Sequence, residues 1–385
     1  MPRQPRTSAN KVKNVSKKEN TSFQGNKGND DQHIPWAEGF KLPSEKQCVD
    51  AIGFPGEIPK EFSPEKDVFH PIPKPSNIDD WLAQYNEGGQ TYKQFMSECP
   101  WLSTRKRKYM SNTFISGGRT MRDKYPGGKI YVVPVGDFSD NSLFHNLLKY
   151  TEDFLGLPVL PLAKIEIELE GDAVFWVEEP LAGSSGRRIS ERKKRHQLSS
   201  RHTSKHLQVC VDSNLMQLRK LLPSDAICLI GLTEFDLFGE ESDLFVAGMA
   251  AGNHRVAIFS LYRYDPCLNF SIEHWFDVTK SKSMPEVDRK RVILQRGCKL
   301  LVHEICHLLG LDHCIFFDCC MNGSGHLTED FRQSMHLCPV DLHKLQTLVG
   351  FNIIERYKNL HQFYALHGFK EEVNWTQRRI NKLCG

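Results

Sequence analysis

The 385-residue chain lacks a strong net charge, a long apolar run and a dense set of cysteines. Its 50 basic and 47 acidic residues leave a net charge of only +3, which argues neither for nor against a nucleic-acid partner. We expect no such partner. No uninterrupted apolar run approaches about 20 residues, and we expect no membrane-spanning helix. The first six residues, MPRQPR, lack the apolar core of a secretion signal, which leads us to expect a cytoplasmic or nuclear protein.

Cysteines are too sparse for the disulfide framework of a small secreted domain, since 12 of them are spread over 385 residues. Five of the 12 nevertheless fall between Cys306 and Cys338. Such local clustering favours a metal site over disulfide bridges. The length allows one to three domains with a sizeable core, and it does not indicate an oligomeric state.

The stretch that leads into these cysteines, from His303 to His313, reads HExxHxxGxxH without a mismatch. On a helix, His303 and His307 lie one turn apart on the same face and can bind one metal ion. Glu304 is adjacent and can act as the general base on a water molecule. Gly310 can take the left-handed conformation that ends a helix, after which His313 returns to the metal. Three neutral imidazoles leave a fourth zinc position open, which is typical of a catalytic site.

This spacing is the metzincin form of the zinc peptidase motif, and the residues that follow it resemble the archaemetzincin family. Cys314, Cys319, Met321 and Cys338 match positions of that family's cysteine-rich segment. The resemblance implies a metallopeptidase with a catalytic zinc, a second, structural zinc held by four cysteines, and a methionine beneath the catalytic metal. Met321 fits that methionine best, and Met335 is the alternative.

The chain departs from the family at the fourth structural ligand, because Asp341 stands where the fourth cysteine is expected. A carboxylate can bind zinc, so that Asp341 completes a candidate set with the three cysteines of the segment. Cys320 and His336 are alternatives for the fourth ligand. Asp341 could instead interact only with the N-terminus of a nearby helix.

The fold implied is α/β (α+β): a metzincin-like zinc peptidase domain with a mixed twisted sheet and an active-site helix, preceded by an N-terminal extension. The first residues are too poor in apolar side chains to bury a core. From the N-terminus, we predict a disordered tail (1–34), a wrapping segment rich in proline and aromatics (35–128), the peptidase domain (129–350) with a basic surface insertion (183–206), and a helical C-terminal tail (351–385).

Hydrophobic periodicity and turn residues predict the individual elements. We expect strands at 129–135, 163–169, 173–177, 207–211, 226–231, 244–250 and 256–263. We expect helices at 78–85, 91–97, 140–155 and 213–222, from Pro285 through the motif, from Pro339 onwards, and over 353–383 with a break at His367-Gly368. Metzincins have a sheet-edge strand above the cleft, where an extended substrate can be held by strand addition. We predict this role for Ile258, Phe259 and Ser260.

These patterns favour zinc-dependent hydrolysis of peptide bonds in a peptide or protein substrate, with Glu304 as the base. The alternative is a catalytically weak zinc-binding scaffold that acts as an interaction module, and the intact Glu304 favours the enzyme. Tyr262 and His326 are candidate donors to the oxyanion of the tetrahedral intermediate. Cys306 is either a small buried residue or a thiol that competes with water for the metal. The sequence does not indicate the cleavage specificity.

Overall fold

The computed structural model describes residues 34–102, 121, 127–178, 193–202, 206–269, 279–280 and 283–385. The predicted disordered tail lies outside these residues except for Ile34, and so does the basic stretch from 183 to 192. No helix in the described part of the chain combines the length and apolar character needed to span a bilayer. The helices are α1 (Glu45–Ile52), α2 (Trp81–Gln84), α3 (Tyr92–Glu98), α4 (Asn141–Leu155), α5 (Val211–Leu221), α6 (Glu286–Leu308), α7 (Leu327–Arg332), α8 (Pro339–Val349), α9 (Ile353–His367) and α10 (Lys370–Cys384).

Strands form one larger sheet and three small ones. They are β1 (Lys129–Val135), β2 (Val159–Pro161), β3 (Glu166–Glu170), β4 (Ala173–Glu178), β5 (Lys194–Leu198), β6 (Ser200–Arg201), β7 (Gln208–Cys210), β8 (Ala226–Thr233), β9 (Asp236–Phe238), β10 (Gly248–Ala251), β11 (Val256–Ser260), β12 (Leu268–Asn269) and β13 (Thr279–Lys280).

Local sequence explains where the helices around the motif begin and end. Helix α6, which carries the motif, follows Pro285 and has Glu286 and Asp288 in its first turn, where the helix dipole favours negative charge. Helix α8 has Pro339 as its first residue, a position where a missing N–H costs nothing. The predicted break in the C-terminal helix is confirmed, because Gly368 ends α9 with a φ of 70°.

The larger sheet has the strand order β10-β11-β8-β1-β2. Strands β11, β8, β1 and β2 run parallel, and β10 is antiparallel to β11. Every residue of β8 is buried, which is typical of a central parallel strand that is covered on both faces. A mixed sheet with the motif helix beside it is the expected arrangement, and the predicted fold class is confirmed.

Two hydrophobic cores lie on opposite faces of this sheet. Ile130, Val132 and Phe259 belong to the core that contains the buried faces of α4 and α6. Val133 and Ile258, which alternate with them along the strands, belong to the core under α5. The motif helix is therefore buried in the first core, where the side chains of α8 and α9 also pack.

The predicted substrate-edge strand is wrong. Strand β11, with Ile258, Phe259 and Ser260, pairs with β8 on one side and with β10 on the other, so that both of its edges are hydrogen-bonded. The outer strand is β10, which covers only the end of the predicted strand 244–250 and consists of small residues apart from Met249. Gly248 is required there, because a Cβ would collide with the Ile258 carbonyl. The sequence predicts a strand at 244–250 but not the strand with which it pairs, which explains the error.

The last part of the predicted basic surface insertion (183–206) forms strands rather than a loop. Strand β5 pairs antiparallel with β4, which pairs with β3 in a three-stranded sheet. Arg195 of β5 forms ion pairs with Glu168 at 3.0 Å and Glu170 at 2.6 Å, both on β3. Leu198 of the same strand is buried. The glutamates of β3 therefore neutralise the positive charge of Arg195. In the sequence alone, this basic charge indicates a solvated loop.

The N-terminal segment packs on the helices that surround the motif. The indole N–H of Trp101 donates to the Leu308 carbonyl, at the end of α6, at 2.9 Å. His343 of α8 places Nδ1 2.7 Å from the Ile52 carbonyl, and its ring stacks on Tyr92 with 3.8 Å between centroids. These contacts hold the segment against the helices around the motif, and its wrapping role and boundaries stay predictions.

Candidate metal centres

The first two motif histidines lie in the last turns of α6, and hydrogen bonds fix the orientation of their rings. His303 Nδ1 lies 2.7 Å from the Cys320 carbonyl, and His307 Nδ1 lies 2.7 Å from the Leu311 carbonyl. A carbonyl oxygen can only accept, so each Nδ1 carries the hydrogen and each neutral ring keeps a lone pair at Nε2. The two Nε2 atoms are 3.0 Å apart.

The third histidine joins this pair because the chain reverses after α6. Gly310 has a φ of 94°, and its N–H donates to the His307 carbonyl at 3.0 Å. His313 then turns back, with Nδ1 3.0 Å from Glu87 Oε1. One ligand atom from each of the three histidines lies within 4.8 Å of those of the others. The structure thus brings together the three residues that the motif singles out.

Neutral imidazoles in this arrangement fit a cation. Burial lowers the pKa of His303 to about 4, and it lowers the pKa of His307 well below its ordinary value, with a further contribution from the neighbouring histidines. Two unprotonated Nε2 atoms at 3.0 Å repel each other unless a cation lies between them. Tetrahedral zinc with Zn–N bonds of about 2.0–2.1 Å would separate its nitrogens by about 3.3 Å. The donor set therefore fits zinc.

Glu304 lies in the interior beside the first ligand. It shares a cavity of about 10 Å³ with the side chains of Leu300, His303, His313, Ser324, Asp330 and Gln333. Burial, together with the nearby Asp330, raises the pKa of Glu304 to about 8. A cation at the imidazoles would lower this pKa again.

Asp330 and Tyr264 are buried polar residues near the motif that the sequence does not reveal. The Tyr264 hydroxyl donates to Asp330 Oδ2 at 2.6 Å. Burial raises the pKa of Asp330, although this hydrogen bond acts in the opposite direction. Tyr262, the predicted oxyanion donor two residues earlier, instead stacks on His206 with 5.5 Å between centroids. It lines a separate polar cleft with Asp140 and Lys290 rather than the cavity of Glu304.

A second cluster contains Cys314, Cys319, Cys338 and Asp341, all of them buried. Cys314 Sγ lies 3.6 Å from Cys338 Sγ, and Asp341 Oδ2 lies 3.2 Å from Cys319 Sγ and 3.6 Å from Cys338 Sγ. The four ligand atoms are within 4.8 Å of one another. Three sulfurs and one carboxylate oxygen at such separations match the donor set of a closed zinc site.

Lys344 is the cationic partner of the Asp341 carboxylate in this second cluster. Its Nζ donates to Asp341 Oδ1 at 2.8 Å, and neither side chain has any exposed area. Burial raises the pKa of Asp341 to about 6, while Lys344 acts to lower it. Burial also raises the pKa of Cys319 to about 12. Without a metal, the thiols are therefore protonated, and zinc binding would have to displace their protons.

Neither alternative for the fourth ligand takes the place of Asp341. His336 packs against the Glu372 carboxylate and stacks on Trp375 with 3.6 Å between centroids. The Cys320 thiol is close to that of Cys319 but is not one of the four clustered ligands, and the Cys320 carbonyl faces His303. Neither residue belongs to the group of four, whereas Asp341 does.

The remaining predicted residues have ordinary buried surroundings. Met321 is fully buried, and its carbonyl accepts from Cys314 N at 2.8 Å, which links the turn after the motif to the cysteine loop. The rival Met335 is also buried. Burial raises the pKa of the Cys306 thiol, as expected for a small core residue. Whether Met321 supports the catalytic metal stays a prediction.

A third group, Asp80, His326 and Glu329, resembles a ligand set but is saturated with hydrogen bonds. His326 Nδ1 accepts from Glu329 N at 3.3 Å, so that Nε2 carries the hydrogen and donates to Asp80 Oδ1 at 2.8 Å. Glu329 Oε2 accepts from Trp81 N at 2.8 Å and Gly325 N at 2.6 Å. The group fastens the N-terminal segment to α7, and it leaves His326 no free donor for an oxyanion.

Glu87 is the most consequential residue that the sequence did not reveal. It belongs to the N-terminal segment, in which no chemically active residue was predicted. Burial raises its pKa, but interactions with His313, Trp81 and His303, the hydrogen bond with His313 foremost, lower it, and the pKa of Glu87 lies below its ordinary value. A carboxylate therefore faces the third histidine at neutral pH.

Comparison with known proteins identifies sequence relatives over most of the chain. The sequence model of Peptidase family M54 matches residues 267–347, which include both clusters. Human archaemetzincin-2 is 31% identical over 315 residues, which cover 78% of this chain and 75% of the relative. Rat archaemetzincin-2 is 29% identical over 317 residues, which cover 78% of this chain and 76% of the relative. Human archaemetzincin-1 is 32% identical over 249 residues, which cover 60% of this chain and 45% of the relative.

Two solved archaeal structures show a partial structural likeness to this chain. The archaemetzincin of Methanopyrus kandleri is 19% identical, with a TM-score of 0.37 over 57% of this chain and 94% of that chain. The archaemetzincin of Archaeoglobus fulgidus, solved in complex with malonate, is 18% identical, with a TM-score of 0.36 over 56% of this chain and 99% of that chain.

Proposed function

Because the chain belongs to the archaemetzincin family of zinc metallopeptidases, we propose that His303, His307 and His313 hold its catalytic zinc and that Glu304 is the general base of peptide hydrolysis. The supporting observation is that each histidine has its Nδ1 against an acceptor. This leaves three Nε2 lone pairs close together in a protein interior. Such a set suits a zinc site with one open position.

Zinc bound there would act as a Lewis acid on the peptide carbonyl and would acidify the attacking water. The Glu304 carboxylate then accepts the proton of that water and delivers it to the nitrogen of the leaving amine. The cavity around Glu304 is narrow and includes Ser324 and Gln333, which limits the access of bulk water to this proton.

We also propose that Cys314, Cys319, Cys338 and Asp341 hold a second, structural zinc. Support comes from the four ligand atoms, which lie within 4.8 Å of one another in a buried cluster. These residues join the turn after the motif to the first turn of α8. Ligation would therefore fix the turn that carries His313, and binding energy would become folding energy.

The substrate is a peptide or protein, as the family implies, and we propose that it binds along the outer strand β10. This strand takes the role that the sequence predicts for β11. Among the described residues, β10 is hydrogen-bonded only on its β11 side, so that its other edge has backbone groups available for an extended peptide. Strand β10 is also close to helix α6, which carries the motif.

Digestion of a peptide library tests this function. Purified protein should cleave library peptides, lose that activity on chelation and regain it when zinc is added back, and mass spectrometry of the products would show whether the cuts are terminal or internal. A zinc-loaded protein that cleaves nothing would instead favour the catalytically weak scaffold.

A further inference from the structure

We infer that Glu87, in the segment before the peptidase sheet, is a positioning residue of the catalytic zinc site. Its carboxylate orients His313 and strengthens that imidazole as a metal ligand. The inference rests on the proposed function, because it assigns His313 to the metal. Glu87 Oε1 lies 3.0 Å from His313 Nδ1, although the two residues are 226 positions apart in the chain.

The three histidines differ in the group that accepts the hydrogen bond from Nδ1. His303 and His307 face backbone carbonyls, whereas His313 faces a charged side chain. A carboxylate partner fixes the tautomer and raises the basicity of the nitrogen that binds the metal. His313 also needs such a partner most, because it follows the turn at Gly310 and no helix fixes its ring.

Glu87 is held between two attachments of the N-terminal segment to the peptidase core. Before it, Asp80 accepts hydrogen bonds from His326 at 2.8 Å and from Arg332 at 2.5 Å. After it, Gln90 donates to Asp312 Oδ2 at 3.1 Å, beside the ligand itself. Anchors on both sides reduce the entropy that Glu87 would otherwise lose on pairing with His313.

The conformation between these anchors also depends on a glycine. Gly89 has a φ of 66°, and a Cβ there would lie 2.6 Å from Ile315 Cγ1. Ile315 follows the cysteine that succeeds His313. The loop therefore approaches the motif turn more closely than a larger residue would permit, and this brings the Glu87 carboxylate within reach of the imidazole.

Trp81 shields this pair from solvent. Its ring meets the His313 ring edge-on, with 5.1 Å between centroids and an interplanar angle of 82°. The side chain of His313 is only 9% exposed, and that of Glu87 is 24% exposed. A charge-assisted hydrogen bond is stronger in such surroundings than in water. The N-terminal segment therefore contributes to the metal site itself, beyond covering the peptidase core.

Metal affinity of the full-length chain tests this role without reference to activity. Glu87→Gln keeps the size of the side chain and an oxygen that can accept from His313, but it removes the charge. Glu98→Gln is the matched control, because Glu98 is an exposed glutamate at the end of α3 in the same segment. Cobalt titration separates the two sites, since binding to histidines lacks the sulfur-to-cobalt charge-transfer band of the cysteine cluster, and zinc competition then gives the affinity.

We expect Glu87→Gln to weaken the histidine site by about 10–100-fold, to leave the cysteine site unchanged, and to keep the melting temperature of the metal-free protein. Glu98→Gln should bind as the wild type does. An affinity of Glu87→Gln equal to that of the wild type, or an equal loss in Glu98→Gln, would overturn the inference while the proposed function stands. A wild type with no histidine-bound cobalt would overturn both.

Discussion

Replacing Lys344 with methionine should make the stability of the chain more dependent on zinc. Lys344 is the cationic partner of one oxygen of Asp341, with 2.8 Å between Nζ and Oδ1. The other oxygen, Oδ2, faces Cys319 and Cys338 at 3.2 and 3.6 Å. Zinc held by the thiolates would be a second cation on that side, so that Asp341 would keep one positive partner after the substitution.

The expected magnitude follows from the charges. Zinc with three thiolates, Asp341 and Lys344 carries one net negative charge, as in a Cys₃His site, and without Lys344 it carries two, as in a Cys₄ site; both kinds of site occur. In the metal-free protein, the substitution leaves the buried Asp341 without its ion-pair partner. Breaking such a pair costs about 3–5 kcal/mol. For a domain of roughly 200 residues this is a loss of roughly 6–20 °C in melting temperature, at about 2–4 °C per kcal/mol.

Thermal unfolding of wild type and Lys344→Met, with zinc and after chelation, measures this difference. Lys299→Met is the matched control, because Lys299 is also buried but donates to the Phe331 and Gln333 carbonyls, away from the cysteines. Adding Asp341→Asn to Lys344→Met should restore much of the loss in the metal-free protein, since neither charge remains. Equal losses with and without zinc would refute the assignment of Asp341 as a metal-facing group.

Three further predictions concern the ligands. His313→Ala should lose the histidine-bound zinc and keep the cysteine-bound one, and a variant that retains full zinc content and activity would show that the third ligand is misassigned. The wild type should contain about two zinc ions per chain, of which Cys319→Ala should lose about one and melt at a lower temperature. Asp341→Cys should bind that ion more tightly, because thiolates bind zinc more strongly than carboxylates do in such sites. A wild-type count near one that Cys319→Ala does not change would contradict the second site.

The sequence predicts the two clusters well because their geometry is mostly local. One helical turn separates His303 from His307, and a glycine turn returns His313 to them. The cysteine cluster also forms within a short span, between the residue after the motif and the start of α8. Residue types and spacing therefore suffice to single out these side chains, and the structure brings each group together.

Features that depend on distant parts of the chain could not be predicted in this way. Glu87 lies in an Asn-Glu-Gly-Gly loop, and nothing in that loop indicates a histidine 226 positions away. The outer position of β10 depends on which strand Gly248 to Ala251 pairs with, and periodicity within one strand does not contain that information. Arg195 likewise indicates a surface loop until its acidic partners on β3 are known.

The role of Glu304 is the central claim, and turnover of zinc-loaded Glu304→Gln tests it most directly. Zinc content and peptide hydrolysis would be measured on the same preparations of wild type and variant. The account predicts near-normal zinc in the variant, because glutamine leaves the three imidazoles in place, and a kcat lower by about 10²–10⁴-fold, because no carboxylate takes the proton of the attacking water. A fully zinc-loaded Glu304→Gln that hydrolyses peptides at the wild-type rate would contradict the account.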